Sequence, residues 1–238
     1  MIKRLFSALK SDIYFQHKHG FYYVYLILSA IYIFIIGFLN IQAIKYVLPV
    51  VIFLDPSVLG MFFIGGILLL EKEQGIMMQL FVTPLQSIEY IISKVISLGL
   101  ISLLAGVLIT LLCFHEPIRW DMLIFGILLT SVFFTLVGML VARHAKSVND
   151  YMIRIVPYMA VAMLLCLVLI PNPWISESTV TYLTLLPSVG GLNLILSAFW
   201  EFDSLSIFFS YTSLVICDVF LAIYAAHVFS KKIILEEE

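Results

Sequence analysis

Apolar residues run along this chain in long blocks, and each block ends in a short group of charged or helix-breaking residues. A helix crosses a bilayer core in about 20 residues. Six blocks meet or approach that length: residues 21–39, 46–70, 95–114, 122–142, 155–170 and 205–229. The fifth is short and stops abruptly, because Pro171-Asn172-Pro173 cannot continue a helix. The pattern predicts an all-α integral membrane protein with six transmembrane helices, a single transmembrane domain over residues 1–238. Ahead of the first block, Ile2, Leu5, Phe6, Leu9 and Ile13 fall on one helical face with Lys3, Arg4 and Lys10 elsewhere. Residues 1–20 therefore read as an amphipathic helix lying on the membrane surface, the alternative being a solvated basic tail. The first block exceeds a secretory h-region, and no small-residue cleavage motif follows it at residues 40–45, so it is expected to remain as the first span.

The polar segment 71–94 separates the second block from the third. Glu71-Lys72-Glu73-Gln74-Gly75 closes one helix, and Thr83-Pro84-Leu85-Gln86 reads as the start of the next. Thr83 is a capping type, Pro84 suits the first helical position, and Gln86 sits where a capping-box partner reaches back. Leu85, Ile88, Ile91, Ile92 and Val95 then repeat at helical spacing, which leaves Glu89 and Lys94 to face water or a partner. In the loop 171–204, residues 180–186 and 189–199 are apolar but too short to span, with Pro187 and Gly190-Gly191 as breaks. Short re-entrant or interfacial helices before the last span are the expectation, a plain interfacial loop the alternative.

Composition agrees with the block pattern. Hydrophobic residues make up 63% of the chain and charged residues 12%, with mean hydropathy +1.12, beyond what a soluble domain carries. A net charge of -2 offers no basic surface for nucleic acid. Eleven of the thirteen Lys and Arg fall at the N-terminus, in 71–94, in 143–154 and in the tail, leaving Lys45 and Arg119 opposite. By the positive-inside rule both termini and the Glu71 group are cytoplasmic, with 171–204 outside. Trp120, Trp174 and Trp200 come near the outer ends of spans, as interfacial anchors do.

Candidate chemistry is sparse. No G-x-x-x-x-G-K-[ST] stretch exists to cradle phosphates, so ATP hydrolysis is not expected of this chain, and no cofactor is assigned to it. Neither a G-x-S-x-G nor an H-E-x-x-H pattern points to an enzyme. Cys113, Cys166 and Cys217 have no paired spacing, and the five histidines are scattered, so neither a disulfide framework nor a metal site is expected. Asp55-Pro56 breaks the second block near its outer end, as a kink or as part of a gate. Asp218 lies near the middle of the sixth block, where an acid costs about 2.5–3.5 kcal/mol to insert. It should face the bundle interior, bonded to a hydroxyl such as Thr130, Ser131 or Thr135, or contact cationic cargo in a pathway. Phe133, Phe134, Met159, Met163 and Phe209 are span packing in the plain reading and an adaptable cargo cavity in the sharper one.

The stretch LLLEKEQGIMMQLFVTPLQSIEYIISKVIS, residues 68–97, resembles the ABC-2 type permeases of ABC transporters, and among them the small bacterial drug-export permeases described as fluoroquinolone exporters. The resemblance implies that a separate ABC ATPase subunit, carrying ATP and Mg, docks on a coupling segment containing Glu71, Lys72, Glu73, Gln74, Gly75, Thr83, Pro84 and Glu89. It also implies a second permease copy or related permease, a bacterial cytoplasmic membrane, and export of drugs or other amphiphiles. Two other readings stay open: a sensor or immunity component using the same ATPase dock, and a membrane-embedded enzyme. Against the latter, Asp55 and Asp218 are expected at different depths.

Overall fold

The computed structural model describes residues 2–54, 58–76, 86–169 and 177–235, which form helices and turns with no strand among them. In chain order the helices are α1 (Ile2–Lys18), α2 (Phe21–Ile36), α3 (Ile41–Ile52), α4 (Leu59–Glu73), α5 (Ser87–Cys113), α6 (Trp120–Ala142), α7 (Val148–Cys166), α8 (Glu177–Leu183), α9 (Pro187–Leu196) and α10 (Ser204–Leu235). Local chemistry sets several boundaries. Gly20 takes a φ of 82°, a left-handed turn that glycine enters without strain, and α2 leaves α1 there at 63°. The Asn40 side chain accepts from the Ala43 N–H at 2.8 Å to start α3, and Ser147 caps α7 by accepting from the Asp150 N–H at 3.2 Å. Pro187 occupies the first turn of α9, so that helix opens two residues before the apolar stretch predicts.

Among the described residues, four helical stretches are individually long and apolar enough to cross a membrane: α5, α6, Val148–Leu169 and the Ser204–Phe229 part of α10. A fifth is added when the bent pair α1–α2 counts as one span. The first predicted block thus contributes a helix of only 16 residues, and the second is divided between α3 and α4. Asp55 and Pro56, the expected break in that block, lie outside the described residues.

The helix α6 is the hub, packed against α4, α5, α9 and α10. Its tightest meeting with α4 depends on missing side chains. A Cβ on Gly138 would sit 2.6 Å from the Met61 carbonyl oxygen, and one on Gly65 would fall 2.1 Å from a ring carbon of Tyr151. That space admits the Tyr151 ring, fully buried, whose hydroxyl donates to the Met61 carbonyl. Small residues bring spanning helices close enough for such bonds where the bilayer gives no hydrophobic drive between helices. Gly138→Ala should therefore lower the melting temperature of the purified protein by an amount equivalent to about 1–3 kcal/mol. Gly66→Ala, whose Cβ would meet the Phe21 ring at 3.9 Å, should leave it unchanged, and equal effects would contradict this packing.

The short α9 is enclosed by α6, α7 and α10, with Ser188 through Ile195 all buried. In contrast, α7 is the most exposed of the long apolar helices, presenting Ile153, Val156, Val161 and Leu164 outward.

Candidate functional site

The polar residues that end α4 meet the start of α5 and the middle of α1 in one buried cluster. Lys94 projects from the second turn of α5 and is 1% exposed. Its Nζ donates to Asp12 Oδ1 of α1 at 2.6 Å and to Glu71 Oε1 of α4. The Tyr90 hydroxyl donates to the other Glu71 oxygen at 2.6 Å, and Ser93 donates to the other Asp12 oxygen at 2.6 Å. The ammonium also stands 5.1 Å from the centre of the Tyr90 ring and 5.9 Å from that of Phe15. Each carboxylate thus has both oxygens bonded, which is what a charge group removed from water requires. One lysine thus serves two carboxyl groups in the same cluster.

Helical spacing explains the geometry. Tyr90, Ser93, Lys94 and Ser97 form a polar stripe along α5, at steps of three or four residues, and Ser102 lies five residues beyond it. On α1, Asp12 and Gln16 are one turn apart and face that stripe, with the Gln16 amide donating to Ser97 at 2.8 Å. Farther along α5, Ser131 of α6 donates to Ser102 at 3.2 Å. At the near end Arg4 lies 3.2 Å from Glu89, whose second oxygen accepts from the Gln86 backbone N–H at 3.0 Å. Three chain segments distant in sequence are therefore held together by buried charge.

Around this cluster the end of α4 remains open. Lys72, Glu73 and Gln74 are exposed, and Gln74 contacts the His19 ring nitrogen at 3.1 Å. Gly75 stops the helix with a φ of 67°, the left-handed conformation that other residues adopt only under strain. The residues expected to act together thus separate into two groups, Glu71 and Glu89 inside, Lys72 through Gln74 outside.

Several expectations change. Glu89 and Lys94 do not face water or a partner: α1 covers both, leaving them 2% and 1% exposed. The face that α1 buries is the one carrying Asp12 and Gln16, while Phe6 and Ile13 point outward. Gln86 is the residue just before α5 and Glu89 the one that reaches back, so the helix begins at Ser87. Thr83 and Pro84 lie outside the described residues. Asp218 is buried, yet neither carboxylate oxygen has a hydrogen-bond partner among the described residues. The expected hydroxyl partners are otherwise placed: Thr130 and Thr135 are themselves without a side-chain bond there, and Ser131 serves Ser102.

A family model described as the fluoroquinolones export permease protein family matches residues 3–237. The chain belongs to this family. Two Mycobacterium tuberculosis proteins, from strains CDC 1551 and H37Rv, are each named a fluoroquinolones export permease protein. Each is 26% identical over 200 residues, covering 82% of this chain and 81% of its own length. Family membership and the long apolar helices together make this chain a multi-pass membrane permease, and they bear out the resemblance carried by residues 68–97. Within such a permease, the Asp12–Lys94–Glu71 cluster is a joint between α1, α4 and α5.

Proposed function

We propose that this chain is the transmembrane subunit of an ATP-driven exporter of fluoroquinolones and similar amphiphiles. In this reading it contributes six spans as one domain, with α1 along the membrane surface and α8 and α9 as short outer helices. Both termini are cytoplasmic, and the pathway forms with a second permease copy. ATP and Mg reside on a separate ABC ATPase. Its docking site is the segment beginning at Lys72, Glu73, Gln74 and Gly75 and running through Thr83 and Pro84, with Glu71 and Glu89 anchoring that segment from within. Asp55, Pro56 and Asp218 belong to the pathway and its outer gate.

The observation that carries this reading is the joint itself. A load applied to the exposed end of α4 reaches α1 and α5 through Glu71 and Lys94 without a soft intermediate, because both side chains are buried and hydrogen-bonded to each other and to neighbours. The names of the relatives support the cargo class, and the lack of a phosphate-binding motif supports an external energy source.

Cells making the chain with its ATPase should retain less fluoroquinolone, followed by its own fluorescence, than cells whose ATPase has lost its phosphate-binding lysine. Equal retention would remove the export function. For orientation, an impermeant thiol reagent should label Ser176→Cys in sealed cells and miss Gly75→Cys; the reverse pattern would invert the topology.

A further inference from the structure

A cleft of about 650 Å³ opens between α6, α7 and α10, at the end of the bundle where α6 and α10 finish and α7 begins. One wall is apolar: Val137 and Leu140 of α6 face Leu221 and Val228 of α10. These pairs run for one to two helical turns, about 5–10 Å along the helix axes. Tyr158 of α7 and Tyr224 of α10 flank the opening. The mouth is basic, formed by Arg143, His144 and Arg154. Arg154 is held through Nε by Asp150 at 2.8 Å, which leaves the outer guanidinium nitrogens available. The Arg143 side chain has no ion-pair or hydrogen-bond partner among the described residues. Asp150 is thus one carboxylate against two guanidinium groups and an imidazole at this mouth.

We infer that this cleft binds the headgroup and upper acyl chains of an acidic phospholipid from the adjoining leaflet. Charge and shape both select that occupant. A phosphate meets Arg143 and Arg154 in the paired geometry that guanidinium groups offer to anions. The apolar wall then runs parallel to the spans, the direction a lipid chain takes from its headgroup. Outside the cleft, Val219, Phe220 and Ile223 of α10 and Ile153 and Val156 of α7 are exposed apolar residues, which continue the lipid-compatible surface. A small soluble anion would leave that wall unused. Basic recesses between spans at the end of a bundle are suited to anionic headgroups on electrostatic grounds.

Native mass spectrometry of the purified protein in neutral detergent tests this, with phosphatidylglycerol and phosphatidylcholine of identical acyl chains as probes. The wild type should retain phosphatidylglycerol more strongly, by about fivefold for each arginine engaged. Arg143→Gln with Arg154→Gln should reduce its retention to that of phosphatidylcholine, and Arg143→Lys with Arg154→Lys should recover part of the preference. Arg119→Gln, at the opposite end of α6, should have no effect. All variants should melt as the wild type does, since neither cleft arginine is in the core. Equal retention of the two lipids by the wild type, or unchanged phosphatidylglycerol retention in the Gln double variant, would overturn the inference. So would a fluoroquinolone that binds through the same arginines while phosphatidylglycerol shows no dependence on them, an outcome that would make the cleft a cargo site.

Discussion

Lys94→Met should destabilise the protein by about 3–5 kcal/mol, the cost of leaving buried carboxylates without their counter-charge. Asp12 and Glu71 would then face each other across the vacated position with only Ser93 and Tyr90 as donors. The expected results are a large fall in the yield of monodisperse protein and a lower melting temperature. Adding Asp12→Asn and Glu71→Gln to Lys94→Met should recover a substantial part of the loss, because the orphaned charges go with their partner. A single Lys94→Met variant that melts with the wild type would show that the cluster contributes no net stability. The same logic divides Glu71 from Glu73. Glu71→Ala removes the acceptor of Lys94 and Tyr90 and should reduce folded yield, whereas Glu73→Ala alters an exposed side chain and should leave it intact.

At Asp218 the expected effect has the opposite sign. Its carboxylate is buried without a partner among the described residues, so Asp218→Leu should raise stability by about 2–3 kcal/mol, recovering much of the insertion cost of an acid at mid-span. Export should nonetheless fall by about tenfold or more, on the premise that an acid held at such a cost serves the pathway. Asp218→Asn separates charge from hydrogen bonding: a role in attracting cationic cargo predicts that asparagine weakens transport of cationic substrates and spares neutral ones. Comparison of melting curves and drug uptake for the two variants checks both parts. A lowered melting temperature in Asp218→Leu would mean that the carboxylate is a structural bonding group.

Much of the helical architecture is legible from hydropathy because long apolar blocks have one stable form in a bilayer. The limits fall where a block is interrupted: residues 46–70 count as one apolar block by hydropathy, yet apart from the break expected at Asp55-Pro56 they are shared between two helices, α3 and α4. Site legibility was uneven for a different reason. Glu71 stands out because it ends an apolar run, but sequence position cannot say that it points inward while Glu73 points out. By sequence Asp12 is one polar residue of a basic amphipathic helix, and helical spacing leaves Lys94 to face water or a partner. Two signals point to them in retrospect. Asp12 is the sole acid before Asp55, and Lys94 belongs to a serine-rich stripe inside an otherwise apolar helix. A polar stripe in a span requires a polar neighbour, whereas the apolar periodicity of α1 includes Phe6 and Ile13, which are exposed.

Coupling through the exposed end of α4 is tested most directly by measuring ATP hydrolysis and fluoroquinolone uptake together, in inside-out vesicles carrying the permease and its docked ATPase. Lys72→Glu combined with Glu73→Lys reverses the charges outside the buried joint without touching Asp12, Lys94 or Glu71. Folded protein at wild-type levels is expected, with ATP-dependent uptake reduced by about tenfold or more, a loss of coupling of about 1.4 kcal/mol. Uptake at the wild-type rate by this double variant would contradict coupling through the exposed end of α4.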